Sequence, residues 1–84
     1  MEVPLNIAKI FGERVREKRR ARKLTQVQVA ERAGMFQHHI SQLENGEVMP
    51  TLETILKLAA AIGCKPTDLL SPFNGIDLGA LSDR

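Results

Sequence analysis

Five residues within one short stretch carry the most telling chemistry of this sequence: Gln37, His38, Ser41, Gln42 and Asn45. If Met35, Ile40 and Leu43 anchor a helix from below, these five point outward on the opposite face. A solvated helix face commonly carries Glu and Lys. This face is uncharged, rich in amides, and able both to donate and to accept hydrogen bonds. A glutamine amide can hold adenine N6 and N7 together, so the face fits the donor and acceptor code of the DNA major groove. A second feature is electrostatic. Residues 9–23 hold eight of the twelve Lys and Arg against only Glu13 and Glu17, a net +6 within a chain whose total is +2. Such a concentration beside a neutral-to-acidic body suits one surface to a polyanion; Arg14, Arg16, Arg20 and Arg22 are its candidates.

Other chemistries are poorly served. There is no Ser-His-Asp set, no metal cluster and no glycine-rich phosphate loop, so the chain is not read as an enzyme and needs no cofactor. His38 and His39 are adjacent and cannot share a helix face, which argues against a metal site. The single cysteine, Cys64, excludes an internal disulfide framework and reads as a small core residue. The absence of Trp and Tyr disfavours stacking on single-stranded bases. With 84 residues the chain has room for one domain. No apolar run approaches a membrane span, and no signal peptide is evident, so a cytoplasmic, nucleoid-associated protein is expected.

Five helices must position these residues. The first runs from Ile7 to Lys23, with Phe11, Val15 and Arg19 in one stripe. The second runs from Thr25 to Ala33, opened by a Thr25–Gln28 capping box and closed by Gly34. The third spans Gln37 to Glu44 and stops at Asn45-Gly46. The fourth starts after Thr51, repeats Leu52, Ile55, Leu56, Ala59 and Ile62 with helical spacing, and ends at Gly63. The fifth begins at Pro66, where Leu69 and Leu70 close the core. Nothing reads as a strand. Residues 1–6 form an arm, residues 7–70 the domain, and residues 71–84 an irregular tail for dimerisation or partner docking. Helices two and three are separated only by Gly34, Met35 and Phe36. A helix, a tight Gly-containing turn and a second helix make a helix-turn-helix. Arg19 continues an apolar stripe and so needs a buried partner; Glu44, beside the inward Leu43, would supply it.

The stretch from Ile10 to Leu70 resembles the helix-turn-helix domain of the phage repressor and Cro family, the xenobiotic-response-element class of bacterial regulators. The resemblance rests on Leu24-Thr25-Gln26, Ala30, Gly34, Ile40, the run Gln42-Leu43-Glu44-Asn45-Gly46, then Pro50, Leu52, Leu56 and Leu69-Leu70. It implies an all-α, five-helix, lambda-repressor-like fold and a transcriptional regulator, a repressor, that binds a palindromic operator in double-stranded DNA as a homodimer. By the same resemblance Gln37, His38, Ser41 and Gln42 read bases. Gln26 and Asn45 meet the phosphate backbone, joined by Thr25, Gln28, Phe36, His39 and Arg19. Arg19 and Glu44 form a structural ion pair. Three positions depart from the pattern: Phe36 replaces the usual Ser or Thr cap, Lys18 a Leu, and Lys23 a Gly. Dimer contacts are expected from helix five, Leu58 and residues 72–81. Two other readings share this fold and size: an antitoxin that represses its own operon while its tail holds a toxin, and the controller of a restriction–modification operon.

Overall fold

The structure, a computed structural model, describes residues 6–81. Each helix boundary follows from a local hydrogen-bonding demand. Helix α1 (Ile7–Ala21) starts where the Asn6 side chain accepts the Lys9 amide, so Asn6 belongs to the helix cap and not to an arm. The rest of the expected arm, residues 1–5, lies outside the described residues, as do residues 82–84. Helix α2 (Gln26–Ala33) opens with the full Thr25–Gln28 capping box and ends on Gly34 in the left-handed conformation. Helix α3 (Gln37–Glu44) has Phe36 in the cap position and no side-chain cap. Helix α4 (Leu52–Ile62) is capped by Thr51 and closed by Gly63. Helix α5 (Pro66–Leu70) takes Pro66 at its first turn, where a missing N–H is harmless.

Helix α1 stops two residues earlier than its charge pattern suggests. Lys23 has φ +57°, and it is the one non-glycine with positive φ among the described residues. The Lys23 amide bonds to Arg20 O and the Leu24 amide to Arg19 O, at 2.9 and 3.1 Å. This is the paired closure that usually ends on glycine. It turns the chain sharply so that Leu24 packs on the core.

The core is built from Phe11 and Val15 of α1, Val29 and Ala30 of α2, Ile40 and Leu43 of α3, Leu58, Ala59, Ala61 and Ile62 of α4, and Leu69 of α5. Helix α1 lies against α3 and α5, α2 against α3 and α4, and α4 against α5. Ala30 is small enough for α3 to approach α2 closely. The described residues form five α-helices and no strand.

Helical spacing alone does not decide burial, and two expectations, on Leu58 and Leu70, are corrected. Leu52 is 71% exposed and Leu56 48%, whereas Leu58 is fully buried. The apolar arc of α4 is wider than the surface its neighbours cover. The core takes the side that carries Ile55, Leu58, Ala59 and Ile62, so Leu58 has no surface to offer a second copy. Leu70 is exposed too, and Leu69 alone of that pair closes the core. The tail is not irregular: Ser71–Gly75 and Leu78–Leu81 are short 3-10 turns, and Phe73 packs against the core. Arg14 is drawn into this region, donating to Asp68 O at 2.7 Å and to Ser71 Oγ at 2.9 Å, so it ties α1 to the tail. Cys64 is a half-buried free thiol against the core; burial, then the Asp68 charge, pushes its pKa up.

A left-handed conformation costs an L-residue roughly 1–2 kcal/mol that glycine avoids. Lys23→Gly should therefore raise stability by roughly 0.5–1 kcal/mol after glycine's greater chain entropy is subtracted. Urea melts of the two proteins check this; equal midpoints would show that Lys23 is unstrained.

Candidate nucleic-acid interface

The geometry of the interface is organised by Glu44, the last residue of α3. Its side chain is fully buried, yet it is ionised. Arg19 approaches it with two parallel bonds, Nε to Oε2 at 2.6 Å and Nη2 to Oε1 at 2.9 Å. The third Arg19 nitrogen, Nη1, donates to Leu24 O at 2.8 Å. This one side chain thereby joins the end of α1, the loop after it and the end of α3. Two further donors converge on Glu44 Oε1: Arg16 Nε at 3.2 Å and Gln26 Nε2 at 3.1 Å. Burial pushes the Glu44 carboxyl pKa up. Hydrogen bonds from Arg19 and Gln26, the Arg19 charge and the Arg16 bond outweigh that burial and hold it below its ordinary value. The same bonds to Glu44 overcome burial at Arg19 and raise its pKa.

A polarity relay leads from this carboxylate to the surface. An ionised carboxylate only accepts, so Gln26 must present its NH2 group to Glu44. Its carbonyl oxygen then faces the other way and accepts from Gln37 Nε2 at 3.1 Å. Gln37 is left with a free Oε1 and one free N–H at the exposed start of α3. That is an acceptor and a donor side by side, the pair that an adenine edge requires.

Around Gln37 the structure brings the other sequence-derived residues onto α3 and the start of α2. His38 is exposed, while His39, Ser41 and Gln42 are half-buried. Phe36 is 83% exposed and makes no side-chain cap bond. Thr25 and Gln28 are exposed but occupied in the capping box: Gln28 Oε1 accepts the Thr25 amide, which leaves the Gln28 NH2 group outward. Asn45 is exposed at the far end of α3. Arg19, by contrast, is buried, with its nitrogens turned to Glu44 and Leu24.

Two roles that matter here escape a reading of the sequence, which names Arg16 only as a cation of the basic surface and passes over Gly12. Arg16 is the second cation on Glu44, and its Nη2 also donates to Asn45 Oδ1 at 2.7 Å. The available signal was its place one turn before Arg19. Gly12 is buried in the middle of α1. A Cβ there would fall on the Leu43 carbonyl oxygen and lie 2.7 Å from Glu44 O, so glycine lets α1 touch the backbone at the end of α3. A glycine inside an otherwise strong helix costs about 1 kcal/mol, which is the sequence signal for such an approach.

Removing the carboxylate strands two cations. Glu44→Ala should cost roughly 3–5 kcal/mol in a urea melt, against about 0–1 kcal/mol for an exposed pair. The pH dependence has a definite sign. A carboxyl whose folded pKa is depressed contributes stability above its ordinary value, near 4.5, and loses it as pH falls through the folded value. The parent should therefore weaken in acid below that point. Glu44→Gln should start weaker and show a shallower acid loss; parallel pH profiles would remove Glu44 from this role.

Residues 15–69 match the family model described as Helix-turn-helix (HTH_3). Among similar proteins is y4dJ of Sinorhizobium fredii, an uncharacterized HTH-type transcriptional regulator, 33% identical over 75 residues that cover 89% of this chain and 97% of that one. The immunity repressor protein of Bacillus phage phi105 is 38% identical over 52 residues, 62% of this chain but only 36% of the repressor's length. The crystal structure of the restriction-modification controller protein C.AhdI from Aeromonas hydrophila superposes with a TM-score of 0.72 at 35% identity, over 74% of this chain and 94% of that one.

Proposed function

The chain belongs to the helix-turn-helix family of DNA-binding transcriptional regulators, and from that premise we propose that it is a repressor acting as a homodimer on a two-fold symmetric operator. In this reading α3 enters the major groove. Gln37, His38, Ser41 and Gln42 meet base edges, and Gln37 reads adenine. Gln26, Thr25, Gln28, Phe36, His39 and Asn45 flank it along the backbone, with Arg19 offering only the N–H groups its bonds leave over. The single observation that carries this is the relay from Glu44 through Gln26, which fixes the polarity of an exposed glutamine before any DNA arrives. The repressor sense is supported by likeness to the phage immunity repressor. A second reading, control of a restriction–modification operon, is favoured by likeness to C.AhdI along most of its length; a neighbouring methyltransferase or endonuclease gene would select it.

A domain of this size spans about four base pairs per protomer, too few to define one site in a genome, so two copies with half-sites about 10 bp apart are required. Leu70, Leu78 and Leu81 are exposed at α5 and the tail, and these residues are proposed to meet in the dimer. The same surface would serve a partner protein in the antitoxin reading, where an adjacent toxin gene is expected.

Selection of bound duplexes from a random pool gives the operator. Gln37→Ala or Gln42→Ala should then lose roughly 1–3 kcal/mol on that duplex and relax preference at one base pair per half-site, leaving non-specific binding nearly unchanged. Unaltered preference in both variants would remove α3 from base reading. In sedimentation, the parent should be dimeric on DNA, and a Leu78→Ser, Leu81→Ser variant should bind the full operator more weakly and dissociate more readily. A parent that stays monomeric both at high concentration and on DNA would end the dimer proposal.

A further inference from the structure

We propose that Arg16 is a phosphate-gripping residue, held in position by Glu44 and Asn45 at the C-terminal end of the recognition helix. The proposal rests on the reading of α3 as the DNA-contacting helix. Its basis is a charge count on one buried carboxylate. Glu44 carries one negative charge and receives two guanidinium groups, Arg19 and Arg16. Arg19 takes both oxygens and is buried, so it neutralises Glu44. Arg16 is therefore surplus. Its side chain is 35% exposed, and it leaves one uncompensated positive charge at the surface.

The position of that charge gives it a use. A helix C-terminus is the negative end of the helix dipole and repels a phosphate. Helix α3 has no Lys or Arg in its last turn to correct this. Arg16 supplies the cation from α1 instead. Nε on Glu44 and Nη2 on Asn45 Oδ1 fix the plane of the guanidinium at two points, which leaves both Nη1 hydrogens and one Nη2 hydrogen to donate. The neighbouring Asn45 amide shows how an anion fits: its Nδ2 faces the Glu47 carboxylate at 3.5 Å, the outer limit of a hydrogen bond. A phosphate oxygen would displace that weak contact and bridge Asn45 Nδ2 and Arg16. Arg14, on the same helix, is bound to Asp68, Ser71 and Glu17 and cannot act in this way.

The test measures binding of the full chain to two duplexes, the selected operator and a random sequence of equal length, across a salt series. Arg16→Gln should weaken both alike and make the slope of log affinity against log salt shallower by about one per protomer. Base preference should be unchanged, unlike that of Gln37→Ala. Arg16→Lys keeps the charge but not the two-point hold; it should retain the slope and lose several-fold in affinity. Glu47→Gln should strengthen binding to both duplexes. Arg14→Gln should keep the parental slope. An Arg16→Gln slope equal to the parent's overturns the assignment, as does an Arg14→Gln loss of the same size, and a Lys variant equal to the parent overturns the two-point hold. Thermal melts run alongside, and if Arg16→Gln does not fold, the Lys and Glu47→Gln variants carry the test. A parent that binds neither duplex in a salt-dependent way overturns the reading of α3 itself, which separates that failure from a failure of Arg16 alone.

Discussion

A carboxylate buried at the wrong end of a helix constrains the rest of this molecule. Glu44 sits where the α3 dipole is negative and where solvent is excluded, two conditions that each oppose its charge. It stays ionised because two guanidinium groups and one amide converge on it. A buried ion pair is a weak source of stability compared with apolar residues of the same volume. Its return here is geometric. The donors to Glu44 come from two other helices, α1 twice and α2 once, so the end of α3 cannot shift without breaking bonds to both. Helix α3 is thereby held at one orientation against α1 and α2, in addition to its buried Ile40 and Leu43.

The same constraint explains the backbone around it. Arg19 can reach both Glu44 and Leu24 only if the chain reverses directly after α1, and Lys23 adopts the left-handed conformation that makes this reversal. Arg19 therefore serves twice at one junction: its carbonyl accepts the Leu24 amide, and its guanidinium donates to the Leu24 carbonyl. On the other side, α1 must come close enough for a short bidentate bond. Gly12 removes the Cβ that would strike the Leu43 and Glu44 carbonyls. A local strain at one end of α1 and a lost side chain in its middle are both costs of placing one guanidinium on one carboxylate.

Much of the fold was legible in the sequence, because local signals agree with the tertiary structure. The Thr25–Gln28 box, the Gly34 and Gly63 ends, Thr51 and Pro66 each mark a boundary by a hydrogen bond within a few residues. The inward Arg19 was visible as a charged residue in an apolar stripe, and Glu44 as its partner in a known pattern. What was not legible depends on distant packing. Leu52 and Leu56 have the right spacing for burial but stand exposed, while Leu58 on the same helix is fully buried. Periodicity identifies an apolar arc and cannot say which part of it is covered. The bond from Arg16 to Glu44 and the role of Gly12 were missed for a related reason. Their roles exist only once α1 crosses the end of α3, a contact between residues about thirty positions apart.

The domain separates two demands that a DNA-binding surface makes. Affinity for a polyanion needs positive charge, and discrimination among bases needs neutral groups whose donors and acceptors are fixed. Here α3 has no Lys or Arg, while residues 9–23 hold most of the cations. A cation on α3 would attract any phosphate regardless of sequence. Its long, mobile side chain would also compete with the glutamines for the groove. Putting the charge on α1 avoids this, but only if the two helices move as one body. Glu44 meets that condition, because the carboxylate that pins α3 to α1 also orients Gln26 and, through it, the exposed amide of Gln37. The buried charge thus links the cation-rich α1 to the exposed amide proposed to read bases, and neutralising it would disturb both by one cause.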